Sequence, residues 1–231
     1  MMDCEKKDIF FIVPAYNEGT VLDSTLRPVL KEGYSVVVVD DGSWDGSWDI
    51  IKKMPLYALR HPINLGQGAA LQTGMTFALS KGAKVIVTFD ADGQHRLKDV
   101  AVLLEPVIKG EAKVALGSRF INRDDKNAVP FLKRVLLKMA IIVNGIMTGL
   151  WLTDAHNGLR VLSRDAAEKI FLHENSYAHA TEIINQIRRQ KLSYVEKPVR
   201  IHYSQYSRAK GQSVWNAVNI LIDLLLRRVF K

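Results

Sequence analysis

Three acidic clusters in the 231-residue sequence have the residue types and spacing for chemistry. They are Pro14-Ala15-Tyr16-Asn17-Glu18, Val39-Asp40-Asp41-Gly42-Ser43-Trp44-Asp45 and Asp90-Ala91-Asp92-Gly93-Gln94-His95. Two carboxylates one residue apart, Asp90 and Asp92, can share one hard divalent cation. With an amide such as Gln94 they suit Mg²⁺ or Mn²⁺, and nucleotide phosphates would complete the octahedron. Like charges gathered in one crevice raise one another's pKa unless a cation or donors compensate. The plainer readings are a solvated turn at Asp90–His95, and Asp40 or Ser43 capping the following helix. Asn64-Leu65-Gly66-Gln67-Gly68-Ala69-Ala70 opens a helix, where glycines permit close approach and the helix N-terminus favours an anion. It lacks the third glycine of a dinucleotide fingerprint and the Gly-Lys-Ser/Thr of a P-loop.

The elements that must position these groups alternate over the first 120 residues. Apolar or β-branched runs at 9–15, 34–39, 56–60, 84–89 and 112–116 read as strands. Helical patterns near 20–30, 45–53, 67–81 and 97–109 lie between them. Nearly continuous apolar strands alternating with helices predict an α/β fold with a mostly parallel sheet covered on both faces. Ligands of such sheets bind at the carboxyl ends of the strands, where the polar clusters fall. The second half predicts a polar loop at 122–129, an apolar helix at about 130–151 and a loop into a strand at 154–162. Helices at 164–173 and 178–190, a strand at 193–203 and a C-terminal helix complete it.

The net charge of +8 calls for a polyanionic partner. Basic residues are spread out and acidic clusters end the strands, which argues against a nucleic-acid-binding module. A single cysteine, Cys4, excludes an internal disulfide and points to a reducing, cytoplasmic location. The apolar run Ile9–Val13 is too short for a signal peptide, and 135–152 and 214–230 carry too many polar residues for confident membrane spans.

Together with Gly117-Ser118-Arg119-Phe120, these motifs resemble, in order and spacing, the family 2 glycosyltransferases with the GT-A fold. The likeness is greatest to the dolichol-phosphate mannose synthase and polyprenyl-phosphate glycosyltransferase branch, and covers roughly residues 9–203. It implies an inverting single displacement from a nucleoside-diphosphate sugar, GDP- or UDP-linked, to a polyprenyl phosphate or, alternatively, a glycan hydroxyl. By the same resemblance Pro14, Tyr16, Glu18 and Asp41 hold the nucleoside, with Val39 and Ala91 of the same segments in the nucleotide-sugar site. Asp90, Asp92 and Gln94 take the Mg²⁺ or Mn²⁺, and Arg119 contacts the nucleotide sugar. Arg208 and Lys210, in a basic Gly/Ser-containing loop, close over the donor phosphates. Asp154, in Thr153-Asp154-Ala155-His156-Asn157-Gly158-Leu159-Arg160, lies near the acceptor and is the candidate catalytic base. Its structural alternative is an N-cap or an ion pair with Arg160. His156 reads as a hydrogen-bonded loop residue.

The chain divides into a catalytic domain, 1–212, and an amphipathic helix, 213–231. That helix presents Trp215, Val218, Ile222, Leu225, Leu226 and Val229 on one face, with Arg227, Arg228 and Lys231 at its end. It suits the membrane interface, the alternatives being packing on the domain or a dimer seam. Basic residues beside apolar segments, Lys133, Arg134 and Lys138 among them, suit anionic lipid. The expected location is peripheral, at the cytoplasmic face of the membrane.

Overall fold

The computed structural model describes residues 3–121, 139, 141–142, 145–146, 148–176 and 178–202. Seven strands form one sheet among the described residues: β1 Ile9–Ala15, β2 Ser35–Asp40, β3 Tyr57–Arg60, β4 Val85–Thr88, β5 Val114–Ser118, β6 Arg160–Ser163 and β7 Tyr194–Pro198. Their spatial order is β3-β2-β1-β4-β6-β5-β7. Helices α1 Leu22–Lys31, α2 Ser47–Ile51, α3 Gln67–Ser80 and α4 Leu97–Ile108 connect the early strands, followed by α5 Arg164–Lys169 and α6 His179–Arg189.

Strand alternation divides the core between the two faces of the sheet. Phe10, Ile12, Val37 and Val39 pack beneath α3, α5 and α6 with Met75, Ala78, Ala166 and Ile183. Ile9, Phe11, Val13, Val36 and Val38 pack on the other face with Leu26 of α1 and Leu103 of α4. Double burial is why these strands read as apolar runs.

β1 to β4 are parallel, as expected, and β5 is parallel to β7. β6 is antiparallel to both neighbours. The cause is where its chain begins. Residues 153–159 lie at the carboxyl end of β5, where Gly117 N–H donates to Leu159 O (3.0 Å) and Ser118 Oγ bonds Thr153 Oγ1 (2.6 Å). The chain therefore re-enters the sheet from the carboxyl edge and runs backwards.

The expected helix at 164–173 stops at Lys169, because Ile170 turns extended and Gln186 bonds both backbone groups of Phe171. The strand expected over 193–203 ends at Pro198. Neither Asp40 nor Ser43 caps α2, whose N-cap is Gly46; Asp45 instead accepts from Ser47 N–H at 2.9 Å. The helix expected at 130–151 falls mostly outside the described residues, and the C-terminal helix falls wholly outside them, as do Lys133, Arg134, Lys138, Arg208 and Lys210. Among the described residues no helix is long and apolar enough to cross a membrane.

Candidate active site

The acidic clusters converge as the sheet order requires, because β1, β2 and β4 end side by side. The first two hold each other. Asn17, in the left-handed region at φ 54°, accepts Trp44 N–H on Oδ1 (3.0 Å) and donates its own N–H to Ser43 Oγ (2.9 Å). Glu18 N–H donates to Ser47 Oγ (3.0 Å) and Gly19 N–H to Asp45 Oδ2 (3.0 Å). Asparagine tolerates left-handed backbone and bonds neighbouring main chain, so it suits this corner. Tyr16 is left 40% exposed at the rim. Pro14 is half-buried, while Val39 and Ala91 are buried with their side chains in the core.

The paired aspartates at the end of β2, Asp40 and Asp41, are buried too. Asp40 is ion-paired to Arg60 Nε at 3.0 Å, and Arg60 lies over the Trp48 ring and donates to Ser43 O. Asp41 accepts Leu65 N–H (3.0 Å) and Gly66 N–H (2.7 Å), and its Oδ1 meets His61 Nδ1 at 2.7 Å. His61 is held in turn by Thr73 at 3.0 Å. Asp41 thus anchors the 64–68 loop, a partnership with His61 that spacing alone does not reveal.

The glycines of that loop do something other than admit an anion. Gly68 N–H donates to Asn175 O at 2.8 Å, and the 174–175 backbone crosses directly over Gly66 and Gly68. A Cβ on Gly68 would overlap the Glu174 carbonyl oxygen. Gly68→Ala is accordingly expected to cost about 1–3 kcal/mol. That lowers the thermal midpoint by roughly 3–10 °C. An unchanged midpoint in a thermal melt would refute this packing account.

At the end of β4, Asp90 Oδ2 meets His95 Nε2 at 2.8 Å, and Gln67 Nε2 donates to Asp90 Oδ1 at 3.0 Å. Burial raises the Asp90 pKa, but the His95 bond and the charges of His95, His179 and Arg160 outweigh it, so the carboxyl is lowered overall. Asp92 moves the other way, to about 6, because burial and the neighbouring Asp90 charge both oppose ionisation. Gln94 donates its backbone N–H (3.0 Å) and its side-chain amide (2.6 Å) to Asp92. Two crowded hard-oxygen carboxylates, one of them resisting its own charge, fit Mg²⁺ or Mn²⁺. Among the described residues no three His, Cys, Asp or Glu groups form a ready cage, so substrate oxygens would have to share the cation.

Across the crevice, Asp154 pairs with Arg119, not with Arg160. Nε donates to Oδ2 at 2.6 Å and Nη2 to Oδ1 at 2.7 Å, and the Arg119 N–H adds a third bond at 3.1 Å. Asp154 is buried, which raises its pKa, but the Arg119 charge and bonds prevail and hold it below the usual carboxylate range. The turn that carries it is clamped by Glu196 of β7, a residue no motif marks. Its carboxylate accepts Thr153 N–H (2.9 and 3.0 Å) and Thr153 Oγ1 (2.8 Å), and lies 3.3 Å from Asp154 N. Arg160 is buried behind both centres; burial lowers its pKa to about 10, against the pull of Asp90 and Asp154.

A mostly parallel sheet with acidic groups at its carboxyl edge and an arginine opposite defines a nucleotide-sugar transferase of the GT-A fold. Residues 10–171 match the Glycosyl transferase family 2, and the chain belongs to that family. It is a glycosyltransferase. It is 37% identical, over 99% of its length and 95% of the relative's, to an uncharacterized protein of Methanocaldococcus jannaschii. It is 30% identical, over 97% of its length and 98% of the relative's, to the UDP-N-acetylglucosamine–dolichyl-phosphate N-acetylglucosaminyltransferase of Methanococcus voltae. The polyprenol monophosphomannose synthase of Mycolicibacterium smegmatis is 29% identical over 81% of this chain and 75% of that protein. In fold the chain is similar to the mannosyl-3-phosphoglycerate synthase of Rubrobacter xylanophilus, with a TM-score of 0.67 and 15% identity over 96% of this chain and 75% of that one. The glucosyl-3-phosphoglycerate synthase of Mycobacterium tuberculosis, in complex with Mn²⁺, UDP-glucose and phosphoglyceric acid, gives a TM-score of 0.63 and 18% identity over 94% and 79%.

Proposed function

We propose that the protein transfers a sugar, with inversion, from a nucleoside-diphosphate sugar to a polyprenyl phosphate. A UDP-linked sugar is the first candidate, because the Methanococcus voltae relative is named for UDP-N-acetylglucosamine and dolichyl phosphate. The observation that carries the acceptor is the Arg119–Asp154 pair. A hydroxyl acceptor needs a base, and a carboxylate whose two oxygens are committed to a guanidinium is a poor one. A phosphate monoester is already ionised near neutral pH, its second pKa being about 6. Its oxygen then forms the new bond to the anomeric carbon while the bond to the diphosphate breaks, and the nucleoside diphosphate leaves with the electron pair. No proton has to be removed.

The residues divide accordingly. Tyr16 and Glu18 border the nucleoside, with Asp41 fixing the loop behind them. Asp90 and Asp92, with Gln94 beside them, would hold the Mg²⁺ or Mn²⁺. When bound, that ion would supply charge screening for the departing diphosphate. Arg119 meets a phosphate of donor or acceptor, and Asp154 with Glu196 fixes its fork. Arg208 and Lys210 close over the donor. The protein works at the cytoplasmic membrane face, with 1–212 as its catalytic unit and 213–231 at the interface.

The test is a panel of UDP- and GDP-sugars with a short polyprenyl phosphate, in Mn²⁺, Mg²⁺ or EDTA, with products identified by mass spectrometry. A glycosyl phospholipid formed with metal and lost in EDTA is expected. Sugar found only on a hydroxyl, or no donor consumed with metal present, would overturn the reading.

A further inference from the structure

Five buried side-chain polar atoms among the described residues have no hydrogen-bond partner. Four of them have a local setting. Asp40 Oδ2 faces Arg60, and His95 Nδ1 sits behind Asp90 with its ring on Phe89. Asn157 Nδ2 belongs to a side chain packed near Gly117 whose Oδ1 accepts Leu159 N–H, and Thr181 Oγ1 lies on α6. The fifth, Nδ1 of His156, belongs to a ring among the charged groups of the crevice. Asp154, Arg160 and Arg119 act on it through space, and His179, which also senses Asp90, senses it in turn. Its backbone is set by Asp154, whose Oδ1 lies 3.4 Å from His156 N.

His156 is hydrogen-bonded as a loop residue through its backbone N–H to Asp154, but among the described residues its ring Nδ1 has no partner. A buried imidazole nitrogen left unpaired is destabilising in the free protein, and a ligand group that pairs with it would remove that cost. The chemistry of that partner follows from the neighbours. Arg119 and Arg160 already place positive charge around the ring. Burial lowers the His156 pKa to about 4, so the ring is neutral and offers one donor and one acceptor. That suits a neutral polar group.

We propose that His156 hydrogen-bonds a hydroxyl or acetamido group of the transferred hexose and so selects the donor sugar. The inference rests on the nucleotide-sugar reading above. In the full-length chain, kcat/KM is measured for UDP-N-acetylglucosamine, UDP-glucose, UDP-galactose and GDP-mannose in the native protein, His156→Leu and His156→Gln. UDP affinity with Mn²⁺ and the thermal midpoint are measured alongside.

For His156→Leu the preferred donor should lose roughly 10- to 100-fold in kcat/KM and the ranking of sugars should flatten. UDP affinity should stay unchanged. The thermal midpoint should hold or rise, because an unpaired polar atom has been replaced by an apolar group. His156→Gln, which keeps a donor and an acceptor, should recover part of the discrimination. An unaltered ranking in both variants overturns the role of His156 and leaves the nucleotide-sugar reading intact. A lower midpoint with weaker UDP binding and an unflattened ranking also overturns it, by showing a purely structural ring. If the native protein consumes no donor, or all four equally, selection by His156 falls; in the first case the reading beneath it falls as well.

Discussion

Asp92→Asn is expected to cut metal-dependent turnover severely and to stabilise the metal-free protein. The side chain keeps its shape and its bond from Gln94 N–H, while Gln94 can turn its amide to meet the new one. Only the charge is lost. Divalent-cation stabilisation of a leaving phosphate is worth several kcal/mol, so turnover should fall roughly 10²- to 10⁴-fold. The gain in stability has the same origin. The Asp92 carboxyl stands at about 6 in the folded chain against its ordinary 3.8, because of burial and Asp90. Between those values the folded chain holds a proton that the unfolded chain has released, so metal-free stability falls as pH rises through the window. Two units correspond to about 3 kcal/mol at most. Thermal melts in EDTA from pH 4 to 7 should show that fall in the native protein and a shallower one in the variant. Mn²⁺ should raise the native midpoint and leave the variant's unmoved. Parallel curves, or an equal Mn²⁺ response, would rule out Asp92 as the strained half of a cation site.

This conflict was legible in the sequence because it is local. Asp90 and Asp92 are one residue apart, and a strand that ends before them fixes where they point. The parallel half of the sheet was legible for a similar reason, since double burial writes itself as Ile9–Val13 and Val36–Val39. What stayed hidden depends on long-range pairing. β6 reads as a strand, yet its direction follows from residues 153–159 lying at the carboxyl end of β5, which no periodicity encodes. Glu196 lies 43 positions from Thr153, in a strand whose pattern marks it only as polar. The glycines at 66 and 68 were visible, but flexibility, anion binding and close packing all use the same residue. Only the 174–175 backbone above them decides among these. Asp154 stood out in the sequence, but its ion-pair partner did not. An arginine six positions along its own segment competed with one 35 positions back, and the fold brought in the distant one.

That choice of partner sets the outcome at Arg119. Arg119→Leu leaves the Asp154 carboxylate buried, with its remaining bonds to main chain unable to neutralise it. Breaking a buried pair from one side costs about 3–5 kcal/mol. Turnover should fall with it, roughly 10²-fold or more, since on the proposed reading the same guanidinium meets a phosphate. Asp154→Asn is the informative contrast. It keeps an acceptor for the Arg119 fork and leaves a cation beside an anionic substrate, so the loss should be about tenfold. The pH–rate profile should keep its shape. Removal of a general base would cost roughly 10²- to 10⁴-fold and flatten the rise of rate with pH. The double variant Arg119→Leu/Asp154→Leu, with neither charge buried, should be more stable than Arg119→Leu alone, giving a coupling of about 2 kcal/mol or more in denaturant melts. Steady-state rates with polyprenyl phosphate decide the rest. If Asp154→Asn proves more damaging than Arg119→Leu and loses the pH dependence, the carboxylate is a base and the acceptor is a hydroxyl. If the order is the reverse, the ion pair exists to hold a cation against phosphate.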